Sequence, residues 1–180
     1  MPGDEPSQGT KPTGPVLPDS ALTPATGTFT DNEKKYLSGR VPQQSDPAAV
    51  LQAGHDACQH LELIAKRDKQ AASVAIITGE IANTRDAIPH LCPDLKPVLT
   101  AAEEGLSDGT HKSPAPGTYN AVDPAPGCTW QAKGKDGAVL ATGPTPTAQS
   151  GTTATAKIPN GTAEFVSESC NAWLRAQSGN

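Results

Sequence analysis

Aromatic residues are scarce in this chain: two Trp, two Tyr and two Phe, 3% of 180 residues. So few rings exclude a surface built to stack nucleobases, and no basic stripe takes their place. Fourteen Lys and Arg stand against 19 Asp and Glu, a formal net charge of −5. That sign repels a phosphate backbone, so no nucleic-acid partner is expected. Apolar runs are short as well, and none approaches the roughly 20 residues of a membrane-spanning helix. Hydrophobic residues supply only 35% of the chain, against an apolar share of roughly 45–50% in ordinary globular proteins. Ordering the backbone costs about 1–2 kcal/mol per residue. A sizeable fraction should therefore be turn or linker, and whatever folds needs support besides apolar burial.

Signatures of catalysis are missing too. There is no Gly-x-Ser-x-Gly elbow, no Walker loop and no dinucleotide fingerprint. The four cysteines, Cys58, Cys92, Cys128 and Cys170, form no C-x-x-C pair of the kind that marks zinc or redox sites. Their long, uneven spacing suits a disulfide framework in an oxidising compartment. Four cysteines permit three pairings. The sequence-local one, Cys58–Cys92 with Cys128–Cys170, is the expectation, because it staples two segments of different character. The alternative is four free, buried thiols.

What is abundant is Gly and Pro, 17 and 18 residues. Residues 1–28 hold six of those prolines and four of the glycines, with almost nothing that packs. The stretch is expected to be a disordered tether. Such an arm suits a protein whose export signal has been removed, and it resembles the tether that follows the lipidated cysteine of bacterial lipoproteins. That cysteine is not in this chain.

Residues 29–105 read as helical. Thr30-Asp31-Asn32-Glu33 is a capping box opening a short helix through Tyr36 and Leu37, ending near Gly39. Asp46-Pro47 opens a second, with Asp as cap and Pro at the first helical position. Val50, Leu51, Gly54, Ala57, Cys58, Leu61, Ile64 and Ala65 then recur at helical spacing on one face. Gly54 in mid-helix costs up to about 1 kcal/mol, tolerable where another helix crosses closely. A third helix is expected from Lys69 to Ile88, with Ala71, Val74, Ile77, Ile81, Ala82 and Ile88 buried, and ended or kinked by Pro89. A fourth, Asp94 to Glu104, puts Leu95, Val98, Leu99 and Ala102 on one side, with Gly105 as its carboxyl cap.

Tyr36-Leu37, Asp46, Gly54 with Cys58, and Leu91-Cys92-Pro93 resemble a small helical domain of secreted and lipid-anchored actinobacterial proteins, the domain of unknown function 732 type. Leu91 departs from its pattern, where an aromatic is usual. Over about residues 29–97 the resemblance implies a helical fold with an intradomain disulfide, and no activity.

Residues 106–115 are rich in Ser, Gly, Thr and Pro and are expected to form a second linker. From 116 to 175 the period becomes that of strands: 117–122, 128–132, a hairpin through Lys135-Asp136-Gly137 into 138–140, then 152–158. A second hairpin is expected at Pro159-Asn160-Gly161-Thr162, leading into 163–166. Pro116 to Tyr119, Cys128 with Trp130, Phe165, and Cys170 with Trp173 resemble small β domains appended to actinobacterial surface proteins. Residues 176–180 are read as a tail. The fold class is thus α+β: an N-terminal small disulfide-stapled helical bundle, then a small antiparallel β sandwich or barrel-like domain.

Candidate chemistry is sparse. Asp56 and His60 are four apart on one helix face, and His55 is adjacent. A zinc protease needs two His at that spacing with a Glu between, so a solvated face or a carboxylate–histidine pair is expected; a metal site completed by His90 is the alternative. His90 near Cys92 could activate a thiolate, but a disulfide removes the nucleophile. His111 is expected to be exposed in the linker. Glu62, Glu103 and Glu104 read as surface carboxylates, and Asn160-Gly161-Thr162 as a tight turn rather than a glycosylation site. Tyr119, Trp130 and Trp173 could line a ligand face, with core the preferred reading because so small a sheet cannot spare them. No catalytic residue, cofactor or metal is assigned. The expectation is a non-enzymatic, exported cell-envelope protein, the ectodomain of a lipoprotein on the outer face of the cytoplasmic membrane. Its partner would be an envelope or extracellular protein or a cell-wall component, with the membrane touched only through a lipid anchor. The alternatives are a small-ligand or metal carrier and a cell-wall-acting hydrolase.

Overall fold

Side-chain caps start the first two helices. Thr30 Oγ1 accepts from the Glu33 N–H at 3.2 Å and Glu33 Oε1 from the Thr30 N–H at 2.8 Å, opening α1 (Asp31–Leu37). Asp46 Oδ1 accepts from the Ala48 N–H at 3.0 Å and opens α2 (Pro47–Arg67). Each bond satisfies a donor that the helix itself leaves free. The computed structural model describes residues 12, 14–143 and 154–176. It divides the chain into two compact units between Leu99 and Thr100.

In the first unit α2 buries Leu51, Gly54, Ala57, Cys58 and Leu61, the face its spacing requires. Gly54 sits where two other elements converge. A Cβ there would lie 2.8 Å from Leu91 Cδ1 and from the Tyr36 ring, so hydrogen is the side chain that fits. The expected third helix is two. α3 (Lys69–Thr78) ends at Gly79, whose φ of 73° is left-handed. The Gly79 N–H donates to the Ile76 carbonyl, and the Glu80 N–H reaches back to Ala75, a Schellman close. α4 (Thr84–Leu91) then starts afresh and carries Pro89 in its interior. Ala82, expected to be buried, is exposed in the turn between them. A disulfide joins Cys58 on α2 to Cys92, just past α4, across 34 residues. A 3₁₀ turn, Pro93–Leu95, leads into α5 (Lys96–Glu103), and Leu95, Val98, Leu99 and Ala102 are buried. Ser73 Oγ donates to the Val98 carbonyl at 2.9 Å.

The amino-terminal arm departs from the expected tether. Residues 1–11 and 13 lie outside the described residues, but 15–17 run antiparallel to 41–43. The Leu17 N–H donates to Val41 at 2.8 Å and the Gln43 N–H to Pro15 at 3.2 Å. Leu22 and Phe29 are buried, 3% and 8% exposed. A few apolar side chains and a backbone edge hold this strap despite its prolines.

The second unit is an antiparallel sheet of six strands: β1 (Leu106–Lys112), β2 (Gly117–Val122), β3 (Thr129–Lys133), β4 (Val139–Gly143), β5 (Thr155–Ile158) and β6 (Glu164–Arg175). The order is β4-β3-β6-β2-β5, with β1 also paired to β6, and the outer strands β4 and β5 approach each other, nearly closing a barrel. Residues 152 and 153 of the strand expected at 152–158, and tail residues 177–180, lie outside the described residues. The sheet departs from the sequence expectation in two places. The expected linker 106–115 is largely strand β1, paired along β6. The turn at Pro159–Thr162 exists, closed by Thr162 Oγ1 donating to the Pro159 carbonyl at 2.7 Å, but it makes no hairpin. β5 pairs with β2, whereas β6 lies between β1 and β3 in its first half and between β1 and β2 in its second.

β6 can serve three neighbours because it bends. Ser169 and Asn171 take left-handed φ of 60° and 68° on either side of Cys170. The Asp108 carboxylate on β1 holds the bend, accepting from the Ser167 hydroxyl at 2.6 Å and from the Cys170 and Asn171 N–H groups at 3.0 and 2.9 Å. Trp173 Nε1 donates in turn to Ser167 Oγ at 2.8 Å. Cys170 closes a disulfide with Cys128 across 42 residues.

Replacing Gly54 with Ala tests the crowded crossing. The added methyl should outweigh the gain of up to about 1 kcal/mol in helix propensity, because overpacking costs about 1–3 kcal/mol. Chemical denaturation of the full chain followed at 222 nm should show a net loss of about 1–2 kcal/mol. Unchanged or increased stability would mean the helices do not cross this closely.

Candidate functional site

Arg40 stands just after α1, where Gly39 at a φ of 69° reverses the chain. Its guanidinium folds back over the Tyr36 ring, 4.8 Å from the centroid, a cation–π contact. Arg40 Nε donates to the Tyr36 carbonyl at 3.1 Å, and Nη2 pairs with Asp86 Oδ2 on α4 at 2.6 Å. The two partners are unequally buried: the arginine side chain is 8% exposed and the aspartate 42%. An almost fully buried cation therefore has a counter-ion that is half in water. Among the described residues no buried nitrogen of Arg40 lacks a partner.

An open groove of about 450 Å³ lies against this pair, within the size range of small-ligand sites. Tyr36 and Arg40 form one side. The start of α2 gives an apolar floor of Ala49, Val50 and Ala53, with Ser45 and Asp46 at its head. Asn83 enters from the turn before α4, and Pro12 from the amino-terminal strap. Asn83 holds a left-handed φ of 68°, and its side chain caps nothing. Burial raises the Tyr36 hydroxyl above the ordinary tyrosine range, with Arg40 pulling the other way, so the phenol keeps its proton as a donor. The groove offers hydrogen bonds over an apolar floor, with the Arg40–Asp86 ion pair on one side and the Asp46 carboxylate at its head.

The residues singled out from sequence are placed elsewhere. His55 Nε2 lies 3.4 Å from Glu33 Oε2, a carboxylate–histidine pair on the surface. Asp56 accepts instead from the Gln52 amide at 2.8 Å. Among the described residues no three His, Cys, Asp or Glu side chains converge on a metal position, and His60 and His90 join no such group. His111 is on β1 rather than in a linker, half-buried, its Nε2 2.8 Å from the Ser107 carbonyl. Glu62, Glu103 and Glu104 are exposed. Tyr119, Trp130 and Trp173 are 1%, 6% and 0% exposed and pack inside the sheet with Phe165, which leaves no ligand face. Arg40, Asp86 and Asn83 went unnoticed in the sequence. The one cue was a lone arginine between Gly39 and the buried Val41, and nothing local ties it to Asp86. No protein-family model, curated protein or solved structure matches the chain.

Glu33 gives the site's neighbourhood a pH dependence. The Thr30 N–H holds its carboxyl below the ordinary glutamate range, and His55 adds to the effect. A carboxyl lowered in the folded state stabilises fully above its unfolded pKa, about 4.3, and that contribution fades as pH falls through the lower folded value. Glu33→Gln keeps an acceptor for Thr30 but removes the charge. Urea denaturation from pH 7 downward should show the wild type ahead at neutral pH and the two proteins converging below about pH 4. A constant difference would refute this role.

Proposed function

We propose that this chain is a non-enzymatic, exported cell-envelope protein, held at the outer face of the membrane by a lipid anchor and acting as a binding or accessory module. The observation that carries the reading is the pair of disulfides, one inside each unit and with no cysteine left free. Such bonds persist in oxidising compartments and are rare in the cytosol. Two disulfides are consistent with an extracellular protein. The resemblance carried by Tyr36-Leu37, Gly54, Cys58 and Cys92-Pro93 to secreted and lipid-anchored actinobacterial domains supports the same placement. The groove beside Arg40 is where a small ligand or the end of a larger envelope component would bind, and its volume favours the small-ligand form of the reading.

Protease accessibility in the native cells tests this. Spheroplasts treated with a nonspecific protease should lose the chain while a cytoplasmic marker survives. Protection until the membrane is lysed would contradict export.

A further inference from the structure

We propose that Asn160 is a site of spontaneous modification, converting to aspartate and isoaspartate through a cyclic imide in the exposed turn between β5 and β6. The site is separate from the groove, and its chemistry needs only water. Asn160 is the one asparagine of the chain followed by glycine, and both residues are exposed. In the reaction the Gly161 nitrogen bonds to the side-chain carbonyl carbon of Asn160. The side-chain nitrogen leaves as ammonia, taking up the proton that Gly161 gives to solvent. Water then opens the five-membered ring at either carbonyl. Neighbouring groups of one chain react as if at very high concentration once nothing holds them apart. Access to the nucleophile and freedom of the side chain therefore decide the rate.

The turn meets both conditions. Among the described residues no hydrogen bond involves the Gly161 N–H, the Asn160 carbonyl or the Asn160 side chain; the Thr162 hydroxyl closes the turn on the Pro159 carbonyl instead. Gly161 takes a left-handed φ of 83°, and nothing lies within 4 Å of where a Cβ would stand. No side chain shields its nitrogen. The other asparagines within the described residues are held or hindered. Asn120 Oδ1 accepts from Thr155 Oγ1 at 3.0 Å, and the next N–H, of Ala121, donates to the Ala154 carbonyl at 2.8 Å. Asn171 Nδ2 donates to the Val122 carbonyl at 2.9 Å, and the buried Ala172 follows it. Asn32 precedes an N–H that donates to Thr30 Oγ1, and Asn83 precedes the buried, β-branched Thr84. Conversion at Asn160 adds a negative charge, and isoaspartate also adds a methylene to the backbone. Ala163, just after the turn, is tied on both sides, its N–H to the Lys133 carbonyl at 2.8 Å and its carbonyl to the Ser113 N–H at 2.9 Å. The longer backbone must then be absorbed between Pro159 and Thr162.

The test is incubation of the full chain at 37 °C, sampled by peptide mapping, with isoaspartate read by isoaspartate-specific enzymatic methylation. Asn160 should convert at least about tenfold faster than Asn32, Asn83, Asn120 or Asn171. Its rate should rise about tenfold from pH 7 to pH 8, because the attacking nitrogen must first lose its proton. Unfolding in urea with reductant should change the Asn160 rate by less than about tenfold, since an exposed turn is already open, while Asn120 and Asn171 speed up. Asn160→Gln, whose ring would need six members, should remove most of the methylation signal and leave the circular dichroism spectrum unchanged. Conversion at Asn160 no faster than at the other asparagines, a rate indifferent to pH, or acceleration by more than about tenfold on unfolding would each overturn the proposal. So would a methylation signal undiminished in Asn160→Gln.

Discussion

Two covalent links carry stability that apolar burial in so lean a chain does not supply. On the chain-entropy account, closing loops of 34 and 42 residues removes unfolded-state freedom worth about 4 kcal/mol each. That is comparable with the whole net stability of a small domain. The positions of the links matter as much as their number. Cys58–Cys92 fastens the end of α4 to the middle of α2, one turn from the Gly54 crossing. Cys128–Cys170 fastens the start of β3 to the bend in β6.

In the sheet, that fixed bend lets one strand organise the rest. Asp108 supplies acceptors to backbone N–H groups that the bend removes from ordinary pairing. The same carboxylate reaches Trp173 through Ser167, so a polar chain orients a fully buried ring of the core. Trp130, Phe165 and Trp173 then meet with centroids 5.9–6.5 Å apart, in the tilted and edge-on arrangements that aromatic quadrupoles favour. The Trp130 ring backs onto Gly143 across the strand pair, where a Cβ would fall 2.5 Å from its indole nitrogen. In the helical unit the same economy produces the groove. The absent side chain at Gly54 admits the Tyr36 ring, Tyr36 supports the Arg40 guanidinium, and the guanidinium forms one wall.

Local chemistry was readable from the residues alone. The capping box at Thr30, the Asp46-Pro47 start, the apolar face of α2, the close crossing at Gly54, the Lys135–Gly137 hairpin and the pairing of the cysteines are all governed by neighbours in sequence or by a small set of alternatives. What escaped depends on distant partners. Gly79 could have signalled the break between α3 and α4, but apolar spacing that ran on to Ile88 concealed it. β1 is polar enough to pass for a linker, because its strand character comes from β6 and its key residue is a carboxylate. The turn at Asn160-Gly161 has hairpin spelling, yet which strands it joins is set by the whole sheet. Arg40 and Asp86 are far apart in the chain, so the groove they border has no sequence signature. The prolines of the amino-terminal arm concealed the buried Leu22 and the pairing of 15–17 with 41–43.

Peptide mapping of the unreduced protein tests most directly whether each unit is closed by its own disulfide. After proteolysis without reductant, mass spectrometry should find Cys58 linked to Cys92 and Cys128 linked to Cys170, with no free thiol. A bridge joining the two halves of the chain, or four free thiols, would contradict the account of how this protein is held together and of the compartment in which it folds.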